Sequence, residues 1–190
     1  MIAPTITVQS EANFLVRSLG NVVRNLPKEL RIVSWKTARK TKSFMAKEVT
    51  KELATPQKVV KATLKTDRKE PTGAEVTLRK TSRISLREFK ARQTRAGVSY
   101  RISKSKGRQT VQGAFTGPKP GLTFVKFRGH VLKRVGKSRL PIRKLYGPSP
   151  WGVFAVNKLQ TTVTPKVNAE LRKQMQERLR YQKLKKTGAI

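Results

Sequence analysis

Glu75-Val76-Thr77-Leu78-Arg79, Gly97-Val98-Ser99-Tyr100-Arg101-Ile102, Leu122-Thr123-Phe124-Val125-Lys126-Phe127 and His130-Val131-Leu132-Lys133-Arg134 are four short runs of alternating character, rich in β-branched and aromatic residues. Alternation with period two gives each face of a strand its own set of side chains. Glycines and the basic run at 104–108 punctuate them. Arg128-Gly129, flanked by Phe127 and Val131, suits a tight hairpin turn. Residues 74–134 therefore predict a mostly antiparallel sheet.

The flanks read differently. Residues 1–10 read as an extended N-terminal arm with alternating Ile6 and Val8, expected to be ordered only against neighbouring subunits. Residues 11–25 carry Leu15, Leu19, Val22 and Leu26 at helical spacing behind Ser10, a good N-cap. Pro27 either breaks that segment or sits in the first turn of the next. Residues 28–53 give a longer helix, with Leu30, Val33, Thr37, Phe44, Val49 and Leu53 as an imperfect apolar stripe. Its Glu48 and Glu52, like its Lys47 and Lys51, are like charges four apart, which lend no support. The helix therefore needs packing partners.

Thr55-Pro56 ends that helix. Residues 58–64 fit a short helix or a strand, and residues 67–73 read as a polar loop. Residues 141–150 (PIRKLYGPSP), with three prolines, read as a rigid connector with little room for regular structure. A final helix is expected over 165–185, with Leu171, Met175 and Leu179 four apart and Pro165 in its first turn. The fold class is α+β, helices at both ends around a central, mostly antiparallel sheet. One domain spans 11–184, and 185–190 form a flexible C-terminal tail.

Charge sets the functional expectation. The chain has 190 residues with 44 Lys or Arg against 10 Asp or Glu, a formal net charge of +34. Solubility needs a magnitude of only about 2–8, and packing more like charge into a compact fold costs self-repulsion. A polyanionic partner offsets that cost. Eight of the ten acids lie between Glu11 and Glu88; the 81 residues at 89–169 hold none, and 18 Lys or Arg. Phe115, Phe124, Val131, Leu145, Trp151 and Phe154 thread through that stretch, so it is a basic surface on a folded body, not a disordered tail.

Conventional catalytic sets are missing. There is no Cys, hence no disulfide framework, zinc-thiolate site or thiol nucleophile. The single His130 has no acid within forty residues in sequence to orient it, and Asp67, the only aspartate, sits in a charged stretch that suits a turn. Gly136-Lys137-Ser138 resembles the end of a phosphate-binding P-loop, yet position 131 is Val where that motif needs glycine, and Pro141 follows where its helix should begin. No enzyme, metal or cofactor is expected. No run approaches the ~18 apolar residues that suggest a membrane span, so no membrane partner is expected either.

The expected work of the basic stretch is neutralisation of nucleic-acid backbone without base readout. The candidates are Arg101, Lys104, Lys106 and Arg108 on a hairpin tip, Arg128 at the end of a strand, and Lys133, Arg134, Lys137, Arg139, Arg143 and Lys144 after the last strand. Aromatics are only 6% of the chain and sit among apolar neighbours, so they read as core and not as stacking platforms.

At 89–102 (FKARQTRAGVSYRI), then Gly113-Ala114-Phe115, Gly129-His130-Val131 and 138–149 (SRLPIRKLYGPS), the chain resembles the minor tail protein Z family of lambda-type tailed phages. The ordered set GAF, GHV, RLPI, LYGPS carries the likeness, which spans most of the chain. The resemblance implies a small α+β tail-completion subunit of the phage neck with no catalytic residue or cofactor. It implies a ring of the protein with itself, hexameric or dodecameric, at the head-proximal end of the tail. The implied neighbours are a tail terminator or tail tube protein, head–tail connector proteins and viral double-stranded DNA bound without sequence preference. The implied location is the virion, with assembly in the host cytoplasm. An RNA-binding structural protein of ribosomal type shares the charge and the lack of Cys, and is the alternative. A metal nuclease needs clustered carboxylates, which this distribution of acids disfavours.

Overall fold

The computed structural model describes residues 5–7, 26–117 and 129–186. The helix expected over 11–25, the strand at 122–127, the hairpin turn through Arg128, Arg128 itself and the tail at 187–190 lie outside the described residues. The fold is α+β. Strands β1 (Thr5–Thr7), β2 (Leu64–Lys69) and β3 (Gly73–Leu78) form one antiparallel sheet, in the order β1-β3-β2. Strands β4 (Arg92–Thr94), β5 (Gly97–Tyr100) and β6 (Gln109–Gln112) form a second, and β7 (Ala114–Thr116), β8 (Val131–Arg134) and β9 (Ile142–Lys144) a third. The helices are α1 (Leu26–Glu52), α2 (Gln57–Thr63), α3 (Pro150–Val156) and α4 (Leu159–Lys186). The strands are thus distributed over three small sheets instead of one central sheet. The chain divides into two compact bodies: Met1–Glu48, Leu64–Arg79 and Phe154–Ile190, then Val49–Thr63 and Lys80–Val153.

In the first body, α1 and α4 run antiparallel. Glu29 near the start of α1 meets Arg178 and Gln182, Lys40 meets Glu170, and Glu48 meets Lys166 at 2.5 Å. Val163, Val167, Leu171 and Met175 recur every four residues on α4 and are all buried, one face of a 3.6-residue helix. The buried stripe of α1 is Leu30, Val33, Ser34, Thr37, Ala38, Thr41, Met45 and Val49. Leu30, Val33, Thr37, Val49 and Leu53 of the expected stripe are buried, Ser34, Ala38, Thr41 and Met45 join them, and Phe44 is only half-buried. Thr41 Oγ1 donates back to the Thr37 carbonyl at 3.0 Å, so its polar atom is satisfied inside the helix. Pro27 lies in the first turn of α1, where its missing N–H costs nothing.

Several boundaries differ from expectation. Thr5–Thr7 is extended, as expected for the arm, and pairs with β3 of its own chain, Ile6 opposite Val76. The supposed loop at 67–73 is largely a hairpin: β2 runs to Lys69, and Glu70, Pro71 and Thr72 turn the chain. β2 is an edge strand, where charges are tolerated, and Lys69 bridges to Glu75 at 3.1 Å. The connector at 141–150 holds β9, again an edge strand, which can take a proline just before it. The last helix begins at Leu159, so Pro165 lies inside it. Pro165 and its would-be acceptor Thr161 are both exposed, so the unmade bond falls on the solvated side while Val163 and Val167 bury opposite. Helix α3 was not expected. Its cue is Ser149-Pro150, an N-cap followed by proline: Ser149 Oγ accepts from Trp151 N–H at 3.3 Å.

Candidate nucleic-acid interface

All the described candidate residues lie in the second body. Three features hold that body together, and each uses residues that carried the family resemblance. Phe89 is fully buried, its carbonyl accepts from Arg101 N–H at 2.9 Å, and its ring lies against Gly147. A Cβ at Gly147 would stand 2.2 Å from the ring edge, so the LYGPS glycine is dictated by packing. Leu145 N–H donates to Val131 O at 2.9 Å, and Gly147 N–H donates to Ile84 O at 2.9 Å. Gly97 has φ +149, and a Cβ there would meet Val111 O at 2.1 Å. The segments GAF, GHV, RLPI and LYGPS therefore form β7, β8, β9 and the strap after β9. They specify a scaffold.

The loop at 101–108 joins β5 to β6 and is docked at its root. Ala54 N–H donates to Ile102 O at 2.7 Å, and Lys104 N–H to Glu52 O at 3.0 Å. Its two arginines are both held by hydrogen bonds, Arg101 half-buried and Arg108 exposed. Arg101 Nε donates to Ser103 O at 3.2 Å and Lys106 O at 3.1 Å, and its Nη2 donates to Lys104 O. Arg108 donates to Ser99 Oγ at 2.9 Å, Ser99 O at 3.0 Å and Lys90 O at 2.8 Å. The Arg101 guanidinium satisfies carbonyls of the loop itself, whereas Arg108 ties the end of the loop to β5 and to Lys90 O. Of the four expected hairpin-tip cations, Lys104, Lys106 and Arg108 are exposed, Arg108 with its guanidinium hydrogen-bonded.

The hairpin β8–β9 presents the larger cluster. Lys133 lies directly opposite Arg143, and Arg134 opposite Ile142. Lys133, Arg134, Lys137, Arg139 and Arg143 are exposed, and Lys144 is half-buried. Alternation places Lys133 and Arg143 on one face of the sheet, and Arg134 and Lys144 on the other with Phe115 and Leu132. Arg134 stacks over the Phe115 ring, 5.8 Å from its centroid. The cluster therefore wraps both faces of one hairpin instead of paving a single flat face.

Charge is unevenly compensated between the two bodies. The first body contains the ion pairs Arg31–Glu70, Lys40–Glu170, Lys65–Asp67, Lys69–Glu75, Lys166–Glu48, Lys173–Glu177 and Arg178–Glu29. The sequence of the second body holds 22 Lys or Arg against two acids, Glu52 and Glu88. Among the described residues, Lys104, Lys106, Lys133, Arg134, Lys137, Arg139, Arg143 and Lys144 have no carboxylate within ion-pair distance. No family model, curated protein or solved structure matches the chain.

His130 is not isolated, as its sequence neighbourhood suggested. Its Nδ1 lies 3.0 Å from Ser85 Oγ, and Glu88 comes close enough to favour its charged form. Burial is the larger influence and, with Lys144 and Arg87, holds its pKa below the ordinary histidine value. Sequence separation of 45 residues hid this pair. Exposed Arg92 and Arg95, on and just beyond β4, also escaped individual notice. The acid-free stretch was the signal that contained them.

Proposed function

We propose that this chain is a structural protein that binds double-stranded DNA by its phosphate backbone, and that it serves as a tail-completion subunit of a phage neck. In that role it forms a ring with copies of itself at the head-proximal end of the tail, beside the tail terminator or tube and the head–tail connector. The observation that carries the DNA reading is the second body's set of exposed cations without carboxylate partners. Exposed like charges held by a fold repel one another, and a polyphosphate removes that repulsion while releasing its own counterions. The neck assignment is carried by the family resemblance, whose segments frame the same body. Lys104, Lys106, Lys133, Arg134, Lys137, Arg139, Arg143 and Lys144 act as backbone neutralisers. Arg101 shapes the loop that presents the first two, and the exposed Arg108 anchors its end to Ser99 and Lys90.

The test is triple charge reversal, Lys133→Glu, Arg134→Glu and Lys137→Glu, read by duplex binding and by tail joining. The expected result is that wild-type binding ignores sequence and falls by about a thousandfold or more between roughly 50 and 200 mM salt if six or more phosphates are contacted. The variant should show a shallower salt slope, and its particles should join tails yet fail to retain or eject DNA correctly. If the variant fails to join tails while its DNA binding is unchanged, the cluster is a protein interface and the DNA reading falls. Mass measurement on isolated necks tests the ring. A protein that stays monomeric beside tail tubes and prefers structured RNA to duplex DNA belongs to the ribosomal-type alternative.

A further inference from the structure

The β8–β9 hairpin outruns its sheet. β7 pairs with β8 only as far as Lys133, which lies opposite Ala114. Beyond it the ladder has two strands: Arg134 pairs with Ile142, and Val135 N–H donates to Pro141 O at 3.1 Å. Val131 and Leu132 at the root are buried, whereas every residue at 133–141 is exposed. That exposed arm carries Lys133, Arg134, Lys137 and Arg139 and no acid. Its closing loop is Gly136-Lys137-Ser138-Arg139, and nothing lies within 4 Å of where a Cβ on Gly136 would stand. Lys133 and Arg143 stand on one face of the ribbon, Arg134 and Lys144 on the other.

We infer that this arm enters the major groove of duplex DNA end-on, its two charged faces against the two phosphate walls and Lys137 and Arg139 at the groove floor. The inference rests on the DNA reading above and adds to it a mode of binding. Cations on one face alone would suit a sheet lying flat on a single backbone. Cations on both faces suit a site with an anionic wall on each side. Dimensions choose the groove. Two strands stand about 4.8 Å apart, and a sheet with side chains on both faces is about 10 Å thick. The major groove of B-DNA is about 12 Å wide and admits a two-stranded ribbon, whereas the minor groove is only about 6 Å wide. Depth fits as well. From Arg134 to Lys137 the chain spans at most roughly 10 Å, at about 3.3 Å per residue, enough to reach a floor about 8.5 Å deep. Every purine presents N7 there. Lys137 and Arg139 therefore meet an acceptor at each base pair, and binding still ignores sequence.

The experiment uses the full chain, a mixed-sequence duplex and dimethyl sulfate, which methylates guanine N7 in the major groove and adenine N3 in the minor groove. Wild type at saturation should protect guanine N7 and leave adenine N3 reactive. The double variant Lys137→Ala, Arg139→Ala should lose the N7 protection even when bound to saturation, with a salt slope shallower by roughly 1.8 for two lost contacts. Lys104→Ala, Lys106→Ala removes as many charges from the other loop. It should make the slope shallower to a similar extent, yet keep the N7 protection. All four side chains are exposed, so unchanged far-ultraviolet circular dichroism checks that both variants fold. Duplex binding by wild type without N7 protection, or with adenine N3 protected instead, overturns the major-groove mode and leaves the backbone reading standing. N7 protection that survives in Lys137→Ala, Arg139→Ala belongs to another element and also overturns the inference. An absence of salt-dependent duplex binding by wild type overturns both.

Discussion

Gly147 and Phe89 show how a single position is fixed by its neighbour. The ring is buried and cannot swing away, so a methyl group at 147 must displace it or the strap that carries it. Gly147→Ala should destabilise the protein by about 1–3 kcal/mol, the usual range for overpacking, measured by urea unfolding. A Phe89→Leu partner substitution should recover part of the loss. His130 gives a pH-dependent counterpart. Its folded pKa is lowered by burial and by Lys144 and Arg87, against the opposing effect of Glu88. The folded state therefore favours neutral imidazole, while the unfolded chain takes up a proton near about pH 6.5. Its contribution is fully present above that pH and is lost as pH falls from there toward the folded pKa. Thermal midpoints measured from pH 8 down to 5 should fall more steeply in wild type than in His130→Gln. Parallel curves would remove His130 from this role.

Elements in the first body are joined by charge as well as by apolar surface. Glu29 is 7% exposed and receives donors from both Arg178 and Gln182 of α4. The hydrogen bond to Glu29 is the main cause that raises the Arg178 pKa above its ordinary value. Removing the cation leaves a nearly buried carboxylate with one neutral donor. Arg178→Ala should cost about 2–3 kcal/mol, below the full figure for a broken buried pair because Arg178 keeps 25% of its side chain exposed. A Glu29→Leu, Arg178→Leu double variant should recover most of this in equilibrium unfolding, since the desolvated charge is then gone. The β8–β9 hairpin is the opposite case. Lys133 faces Arg143 across the strands, a like-charge pair that weakens the ladder. Lys133→Glu should therefore stabilise the free protein by up to about 1 kcal/mol and weaken duplex binding in the same preparation. Stability and binding moving together would show that the two cations do not oppose each other in the fold.

At the scale of the whole molecule, a net charge of +34 sets the response to ionic strength. Raising salt from a few millimolar to ~0.15 M shortens the screening length to about 8 Å. The thermal midpoint of the free protein should rise over that range, and added duplex DNA should raise it further at low salt only. A midpoint that falls with salt would mean that the ion pairs of the first body outweigh the repulsion in the second. The sequence by itself determined the α+β class, the long helix read at 28–53, the strands read at 75–79, 97–102 and 130–134, which fall on β3, β5 and β8, and the location of the uncompensated charge. Periodicity and composition are local properties, so they can be read along the chain. Three things were decided only by tertiary structure. Edge positions turned the polar stretch at 67–69 and the proline-flanked stretch at 142–144 into strands, because an edge strand needs a partner on one side only. Packing of α1 buried Ser34, Ala38 and Thr41 beside the expected Leu30, Val33, Thr37 and Val49, because contact with a neighbouring helix decides which further positions lose solvent. The loop at 101–108 divided its own cations, because unpaired carbonyls in a tight turn drew in Arg101 and left Lys104, Lys106 and the Ser99-bonded Arg108 exposed. Which of several like residues faces outward depends on the acceptors that folding brings within reach, and no spacing along the chain encodes that.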